Sequence, residues 1–400
     1  MTTKPLEGIK VLDLTRVLAG PYCTMVLANL GAEIIKIERP GTGDDSRDFG
    51  PFVNGESIYF ISINRGKKSI AIDLKSEEGK ELLMDLVKEV DILAENFRPG
   101  TMEKLGLGYD KLKEVNPRLI YAAMSGFGHS GPYSKRAAYD MIVQGMGGIM
   151  SITGQPGGEP TRVGTSVGDI TAGLFGTIGI LSALLGRQTT GKGQKVDVAM
   201  LDGQVSILEN AIARYTASKE IPEPLGSRHP SITPFEAFKT KDSWVILAAG
   251  NDALWAKFCK VIDREDLIND PKYLTNADRN NNHDILKPIL DDVFTEKTTD
   301  EWLEILNNAG IPGSPINSVD KLFNDPQIDA RNMLVEVEQP GVGKIKVAGN
   351  PIKLSDIPAK EEVPVDPAPS IGQHTEEILK TLLKLDEKKV SELTSKKIVE

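Results

Sequence analysis

Strand-like and helix-like segments alternate along the first half of the chain, and this alternation constrains the fold more than any other feature. Residues 76–90 carry leucine and valine at helical spacing behind Ser76, a favourable helix N-cap. Five short apolar segments are predicted as buried strands: 10–14, 33–38, 69–74, 91–96 and 119–126. Strands that alternate with helices form a parallel sheet covered on both faces. We therefore predict an α/β protein.

A proline-rich segment divides the chain. Residues 219–234 contain four prolines and are predicted as a linker. A strand at 194–200 and a helix at about 202–218 are predicted before it. The elements predicted after it are a strand at 244–249, a helix at 252–262, amphipathic helices to about 325, a hairpin-like pair of strands at 335–355 with its turn at 340–343, and one or two helices at 374–397.

Composition excludes several classes of function. Acidic residues outnumber basic ones, with a formal net charge of −10, so nucleic-acid binding is not expected. Cys23 and Cys259 are the only cysteines, which argues against a disulfide scaffold and fits a reducing compartment. The N-terminal residues lack the apolar core of a signal peptide, and the apolar run 174–186 is too short to span a bilayer. We expect a cytoplasmic protein that does not bind membranes.

The glycine-rich motifs are weak signals. The sequence GFGHSG at 126–131 matches the dinucleotide pattern, but Pro132 follows it and no acidic residue stands at the ribose position. A glycine-rich turn is favoured over a nicotinamide dehydrogenase site. The turn at 41–51 lacks the end of a P-loop, so nucleotide hydrolysis is not predicted. The four histidines are scattered, so no metal site is predicted.

Asp169 stands in a run of small and apolar residues, RVGTSVGDITAGL. Two interpretations are open: its side chain caps a helix that begins here, or it reacts with a ligand. Gly168, Ala172 and Gly173 would leave space beside it for a bulky group. Basic residues are concentrated in the first third of the chain, several at predicted strand ends, where α/β sheets bind ligands. They form either a site for an anion or a solvated charged surface.

An ordered series of motifs resembles the class III CoA-transferases, the family of formyl-CoA transferase and carnitine CoA-transferase. The series is PLEGIKVLDLTRVLAGPYCTMVLANLGAEIIKIERPGTGDDSR, NRGKKSIAIDLKSEEGK, DILAENFRPG, NPRLIYAAMSGFG, AYDMIVQGMGG, VGDITAG, GKGQKVDVAMLDG, GIPGSPINSVDKLFNDPQ and GQHTEEIL. It covers essentially the whole chain. Each motif is weak by itself, but the ordered set is highly specific.

The resemblance implies a large Rossmann-like domain with a parallel sheet, built from both chain ends, and a smaller α+β domain. We assign residues 1–218 to the first part of the large CoA-binding domain and 219–328 to the linker and small domain. Residues 329–400 are assigned to a return segment that completes the large domain. Two subunits are expected to interlock as linked rings in a homodimer.

The resemblance also implies an activity, the transfer of CoA from an acyl-CoA to a small carboxylic acid. Asp169 stands at the position of the family's nucleophile and would form a mixed anhydride and then an aspartyl-CoA thioester. CoA and acyl-CoA are substrates, and no permanently bound cofactor is expected. The implied CoA contacts are Val17, Leu18, Arg39, Ile72, Asp73, Leu74, Lys75, Asn96, Phe97, Arg98, Lys104, Arg136, Ala137, Ala138, Tyr139 and Asp140.

Departures from the family pattern bear on the substrate. Leu18 replaces a glutamine of formyl-CoA transferase, and residues 229–238 replace its glycine loop, which puts a formyl/oxalate pair in doubt. A succinyl-CoA-type or other small-acid exchange is our hypothesis. The candidates for binding a second carboxylate are Arg47, Arg162, Arg228 and His229, with surface salt bridging as the alternative for each.

Two alternative functions share either the fold or the ligand of the CoA-transferases. The related α-methylacyl-CoA racemases use a histidine where this chain has Tyr139, and a phenol is a poor base at neutral pH. A non-catalytic acyl-CoA binder would not be expected to keep Asp169. The transferase is therefore favoured over both.

Overall fold

A six-stranded parallel sheet organises the computed structural model, which describes residues 4–400. Residues 1–3, which begin the N-terminal segment considered above, lie outside the described residues. The strands are Lys10–Asp13 (β1), Glu33–Glu38 (β2), Phe52–Val53 (β3), Glu56–Ser57 (β4), Lys68–Ala71 (β5), Ile92–Glu95 (β6), Ile120–Ser125 (β7), Lys195–Ala199 (β8), Phe235–Lys239 (β9), Trp244–Ala248 (β10), Gly313–Pro315 (β11), Leu334–Gln339 (β12) and Gly343–Ala348 (β13).

Helices fill most of the intervals between the strands. They are Ala19–Asn29 (α1), Ile58–Asn64 (α2), Glu77–Lys88 (α3), Thr101–Lys104 (α4), Tyr109–Val115 (α5), Asp140–Met146 (α6), Ile149–Ile152 (α7), Val167–Thr190 (α8), Met200–Ser206 (α9), Ala211–Ser218 (α10), Asp252–Val261 (α11), Asn276–Asn281 (α12), His283–Phe294 (α13), Thr299–Asn308 (α14), Pro326–Ala330 (α15), Thr375–Thr381 (α16) and Glu387–Ser395 (α17). Short 3-10 helices occur at Asp45–Asp48, Glu265–Leu267, Val319–Asn324 and Ala359–Glu361.

The sheet has the order β5-β2-β1-β6-β7-β8, and each neighbouring pair is parallel. The chain runs outward from β1 through β2 to β5, then crosses to the other side of β1 and continues through β6, β7 and β8. The order therefore reverses between β1 and β6. In open α/β sheets, ligands bind outside the carboxyl ends of the strands at such a reversal.

Both faces of this sheet are buried. On one face, Leu12 packs in a cluster with Leu83 of α3 and Leu379 of α16. On the other face, Val11 packs in a cluster with Ile180 of α8. Because adjacent strand residues point to opposite faces, a strand covered on both sides reads as a continuous apolar run. Burial on both faces explains why these strands could be predicted from short apolar segments of the sequence.

Most predicted elements are confirmed. Each of the five strands predicted in the first half overlaps an observed strand of the sheet. Ser76 is the N-cap of α3, and its side chain accepts a hydrogen bond from Gly79 N at 3.0 Å. The predicted pair of strands is observed as β12 and β13, and the C-terminal segment forms two helices, α16 and α17.

One prediction of local structure was wrong. The helix predicted at about 202–218 is interrupted between α9 and α10, where Glu209 adopts a left-handed φ of 54° that a continuous helix does not contain. The segment 229–238, one of the departures from the family pattern, contains the start of β9. This strand pairs antiparallel with β10 and places Phe238 in the core of a second, three-stranded sheet.

The described chain divides into two compact units. The first contains residues 4–149, Arg162–Ala213 and Pro326–Glu400, and it includes the parallel sheet. The second contains Met150–Thr161 and Arg214–Asp325, with the three-stranded sheet packed on α11, α13 and α14. The sequence had assigned 150–161 to its first segment, whereas this stretch clusters with the second unit.

Helix α8 extends beyond both ends of the apolar run 174–186. The run 174–186 lies inside a helix of 24 residues, which by length and composition alone could cross a membrane. Within the first unit, Ala172 and Ile180 on one face of this helix are completely buried. The opposite face leaves Leu174, Ile178 and Leu185 exposed. Core helices of soluble proteins can have the same length and composition, so these two properties assign no membrane location.

Candidate active site

Asp169 lies in the first turn of α8. This is the helix that its side chain would cap in the first of the two interpretations. The N-cap residue is Ser166, whose side chain makes no capping hydrogen bond. Asp140 takes this role from outside the helix, because its Oδ1 accepts a hydrogen bond from Gly168 N at 2.8 Å. Among residues 4–400, no group donates a hydrogen bond to the Asp169 carboxylate. The capping interpretation of Asp169 was therefore wrong.

The Asp169 carboxylate is electrostatically destabilised. Burial raises its pKa from 3.8 to about 7, and the nearby Asp140 carboxylate adds to the effect. A carboxylate with neither hydrogen bonds nor a close cation keeps its electron pairs available for reaction. Such a shift without a stabilising partner is typical of functional sites rather than of structural ion pairs.

The small residues around Asp169 do not leave open space, contrary to the expectation from the sequence. A Cβ atom at Gly168 would stand 2.7 Å from the side chain of Val143 in α6. A Cβ atom at Gly173 would stand 2.7 Å from Ala19 O in α1. The glycines therefore allow α8 to approach α6 and α1 closely. This approach brings the turn at Val17 and Leu18 next to the start of α8.

The turn before α1 is held by a buried ion pair. Val17 adopts a φ of 68°, which is rare for a β-branched residue. Its N–H donates to Asp44 Oδ1 at 3.0 Å, while Asp44 Oδ2 lies 2.7 Å from Lys36 Nζ. Both charged side chains are almost completely buried. Asp44 therefore fixes the backbone of a predicted CoA contact in a strained conformation.

Tyr59 is a further member of this cluster. Burial raises its pKa to about 12, and the carboxylates of Asp169, Asp44 and Asp140 raise it in that order. A phenol surrounded by carboxylates stays protonated and can donate a hydrogen bond. Sequence reasoning missed Tyr59 because it lies in a short apolar helix with no motif of its own.

A cavity of about 620 Å³ opens at the carboxyl ends of β1, β2, β5 and β6, the edge identified from the strand order. Six of the predicted CoA contacts line it: Arg39, Ile72, Asp73, Leu74, Lys75 and Phe97. Two other predicted residues lie close to this wall. Lys104 is exposed on α4, whose Thr101 lines the cavity, and Arg98 is exposed just before that helix.

Four cations line this cavity together with three acidic residues, Glu38, Asp44 and Asp73. Arg16, Arg39, Lys75 and Lys397 line it, and the first two form ion pairs with the same Asp45 carboxylate. Arg16 was not predicted. Its backbone is paired with Asn96, which accepts from Arg16 N at 2.9 Å and donates to Arg16 O at 2.7 Å. The predicted residue Asn96 thus positions a cation on the cavity wall. A cavity with this charge suits a polyanionic ligand.

The remaining predicted contacts lie outside this cavity lining. Arg136 stacks over the rings of Tyr133 and Phe127, and Ala138 lies against Gly126. Tyr139 is exposed at the start of α6. Asp140 is buried, with Oδ1 on Gly168 N and Oδ2 accepting from Gln144. This second group adjoins Asp169, and Ala137 stands in the same segment.

Asp44 connects the two groups. It lines the cavity, and its backbone N–H donates to Glu38. Its carboxylate raises the pKa of Tyr59, which the Asp169 carboxylate also raises.

The segment GFGHSG forms a turn, as favoured from the sequence. No helix begins until Asp140, so no helix N-terminus is available for a pyrophosphate here. His129 N donates to the Asp197 carboxylate, and the imidazole Nδ1 lies 2.9 Å from Lys195 Nζ. Its Nε2 lies 3.6 Å from Glu95, a buried carboxyl that accepts from Phe97 N and Tyr121.

Glu95 predicts a pH dependence of stability. Burial raises its pKa from 4.5 to about 7 in spite of these hydrogen bonds. The native state therefore binds this proton more tightly than the unfolded state does. Stability from this group is present below about pH 4.5 and is lost as the pH rises through 7. We expect Glu95→Gln to raise the free energy of unfolding above pH 8 by about 2–3 kcal/mol.

Denaturant unfolding of both proteins between pH 5 and 8.5 measures this effect. The matched control is Glu81→Gln, an exposed glutamate of α3. An equal stability gain in both variants, or a Glu95→Gln effect independent of pH, contradicts the prediction.

The fold and the site together define a class of protein: a parallel α/β protein with a cavity partly lined by cations at the carboxyl edge of its sheet and a separate buried carboxyl without hydrogen bonds within residues 4–400. Comparison with known proteins specifies the family. A model of CoA-transferase family III matches residues 6–375. The chain belongs to this family, as the sequence motifs indicated, and it is a CoA-transferase that uses CoA thioesters as substrates.

Individual relatives agree with this assignment. A Homo sapiens succinyl-CoA:glutarate CoA-transferase is 42% identical over 398 residues, covering 99% of this chain and 90% of that protein. An Acetobacter aceti acetyl-CoA:oxalate CoA-transferase is 44% identical, covering 91% of this chain and 92% of that protein. The crystal structure of a CAIB/BAIF family protein from Brucella suis superposes with a TM-score of 0.83 at 40% identity, covering 95% of this chain and 99% of that chain. These similarities favour the transferase over the racemase, binder and dehydrogenase alternatives.

Proposed function

We propose that this protein moves CoA from a succinyl-type acyl-CoA to a dicarboxylic acid through covalent intermediates on Asp169. The observation that carries the proposal is the buried carboxyl of Asp169, which lacks hydrogen bonds and lies beyond a cationic cavity. A nucleophile for thioesters needs a free carboxylate at the end of a CoA site.

The reaction proceeds in four exchanges. The Asp169 carboxylate attacks the thioester carbonyl, and the C–S bond breaks. CoA thiolate departs, and the acyl group and Asp169 form a mixed anhydride. The thiolate then attacks the Asp169 carbonyl and releases the donor acid, which gives an aspartyl-CoA thioester. The acceptor carboxylate attacks this thioester and expels the CoA thiolate, which gives a new mixed anhydride. The thiolate then attacks the acceptor carbonyl of this anhydride, the C–O bond to Asp169 breaks, and the new acyl-CoA and the free Asp169 carboxylate are released. Each step exchanges one acyl bond for another, so the thioester energy is retained.

The cationic cavity supports the proposed position of the nucleotide. CoA carries a pyrophosphate and a 3′-phosphate, and guanidinium groups bind phosphates through paired hydrogen bonds. Arg16 and Arg39 lie on one wall, and Lys75 and Lys397 complete the basic rim. The pantetheine arm would then pass Asp44 and the Val17 turn toward Asp169.

The relatives support the substrate class. The names of the human and bacterial relatives pair an acyl-CoA with glutarate in one case and oxalate in the other. Both acceptors are dicarboxylic acids. We extend this shared feature to the present protein, with succinyl-CoA as the proposed donor.

We further propose that the protein works in the cytoplasm as a homodimer of interlocked subunits. Large apolar side chains are exposed on neighbouring helices of the first unit, among them Met141 and Ile142 of α6, Ile178 and Leu185 of α8, and Val205 of α9. Exposed apolar surface of this kind is typical of subunit interfaces.

Transfer between labelled acids tests the proposal. We expect succinyl-CoA and isotope-labelled glutarate to yield labelled glutaryl-CoA without ATP, measured by mass spectrometry of the acyl-CoA pool. Acetyl-CoA and monocarboxylic acids complete the donor and acceptor panels. If no acid accepts CoA and α-proton exchange with deuterated water occurs instead, the protein is a racemase and the proposal fails.

A further inference from the structure

We infer that Arg162 binds the second carboxylate of the dicarboxylic substrate and so determines which acids this enzyme accepts. This inference rests on the proposed function. It starts from four basic residues that the sequence offered as carboxylate ligands. The structure leaves one of them, Arg162, with free donors near Asp140, the residue that caps the helix of Asp169.

Three of the four have their side chains committed elsewhere. Arg47 forms a paired contact with Glu38, at 2.8 Å and 2.7 Å, and lies over the Phe60 ring. In the second unit, Arg228 donates to Asn280, and His229 stacks on a phenylalanine ring while its Nδ1 accepts from Ser231 N. These contacts give each side chain a structural role within its own unit.

Arg162 is differently placed. Its side chain is 45% exposed and approaches Asp140, but the Nη2–Oδ2 distance of 3.6 Å is too long for a hydrogen bond. Its one hydrogen bond within residues 4–400 is a long contact from Nη2 to Gly164 O, at 3.5 Å. The Nε and Nη1 donors have no partner in that range. A guanidinium in this state can still form a fork with a carboxylate.

Asp140 connects Arg162 to the helix turn that carries the nucleophile. Asp140 lies between the two groups: it approaches Arg162 through Oδ2 and accepts from Gly168 N, next to Asp169, through Oδ1. Burial and Asp140 raise the Asp169 pKa, and Arg162 is not among the groups that alter it. The guanidinium therefore approaches the residue that caps α8 without neutralising the nucleophile. A bifunctional acid could react at one end while its other end binds Arg162.

The negative charge of Asp140 makes the Arg162 cation more important for binding a dianionic acid. A dianionic acceptor enters while Asp169 is held as its thioester, and it then meets the carboxylate of Asp140, which repels it. Arg162 offsets this repulsion for an acid with a distal carboxylate. An acid without a distal carboxylate gains nothing from the fork, so the residue should affect dicarboxylates selectively.

The experiment compares each acid with its own half-ester. Transfer from succinyl-CoA to isotope-labelled succinate, to glutarate and to their monomethyl esters would be measured in wild type, Arg162→Met and Arg162→Lys. In a ping-pong reaction, kcat/KM for the acceptor reports only the second half-reaction. We expect Arg162→Met to lower kcat/KM for the dicarboxylates by about 10- to 100-fold, the loss of a hydrogen-bonded charge pair, and to change the half-esters by less than about threefold. Arg162→Lys should lie between the two.

Two controls separate the explanations. Arg118→Met makes the same change at an exposed arginine before β7, at the opposite edge of the sheet, and should leave all acceptors unchanged. The Kd of free CoA should be equal in wild type and Arg162→Met, which shows that the variant is folded. Equal losses for dicarboxylates and half-esters, or no loss for either, would overturn the role of Arg162. If wild type transfers CoA to half-esters but not to dicarboxylates, the proposed substrate class itself is wrong.

Discussion

Replacing Asp169 by alanine is expected to abolish CoA transfer, with a fall in kcat of at least about 10³-fold, because the covalent route has no substitute nucleophile. Wild-type protein incubated with the acyl-CoA donor should gain a CoA-sized mass that maps to the α8 N-terminus. Hydroxylamine should remove this adduct. Intact mass spectrometry measures both, and the variant should show neither adduct nor transfer.

Control measurements exclude trivial loss of the fold. Asp169→Ala should bind free CoA with the wild-type Kd, because the phosphates are proposed to bind in the cavity at the sheet edge. Asp202→Ala, an acidic residue of α9, is the matched substitution that should retain full activity. Transfer by Asp169→Ala at the wild-type rate would eliminate the aspartyl mechanism.

The same residue should make the native state less stable at neutral pH. Its pKa is raised in the folded state, so its contribution to stability is present below about pH 4 and is lost as the pH rises through 7. Asp169→Asn should therefore be more stable than wild type at pH 8.5 and nearly equal to it at pH 4. A helix-capping aspartate would show the reverse, a loss of about 1 kcal/mol on substitution.

Replacing Asp44 by alanine is expected to cause the largest loss of stability, about 3–5 kcal/mol, because it leaves Lys36 buried without its nearest partner. The change also removes the hydrogen bonds that Asp44 accepts from Val17 N and Ser46 N. Chemical denaturation would measure the loss. The KM for acyl-CoA should rise as well, because the turn beside the proposed thiol end loses its support.

The neighbouring residue supplies the control. Asp45 pairs with Arg16 and Arg39 at the protein surface, and exposed ion pairs contribute at most about 1 kcal/mol. Asp45→Ala should therefore unfold at nearly the wild-type denaturant concentration. Although burial opposes it, Lys36 lowers the pKa of Asp44, so the stabilisation should disappear as the pH falls below 3.8. Equal losses from the two alanine variants contradict the assignment.

Part of the site could be predicted because it follows the strand ends. Arg39 and Lys75 each come after a strand of the sheet, and parallel strands place their carboxyl ends on one edge. Phe97 was predicted from the family resemblance alone. Arg16 follows β1 and carries the same signal, although it was not predicted, whereas Tyr59 could not be found in this way. Asn96, from a distant part of the chain, pairs with the Arg16 backbone. Tyr59 belongs to the site because α2 places it near three carboxylates.

The sequence by itself determined the order of strands and helices and the set of family motifs. Apolar periodicity is a local property, set by the repeat of the helix or strand that carries it. Only the tertiary structure decided which charges act together. Asp140 caps α8 in place of Asp169, Gly168 and Gly173 allow close helix packing, and Arg162 retains unpaired donors. These features depend on contacts between residues far apart in the chain, and such contacts exist only once the helices have packed.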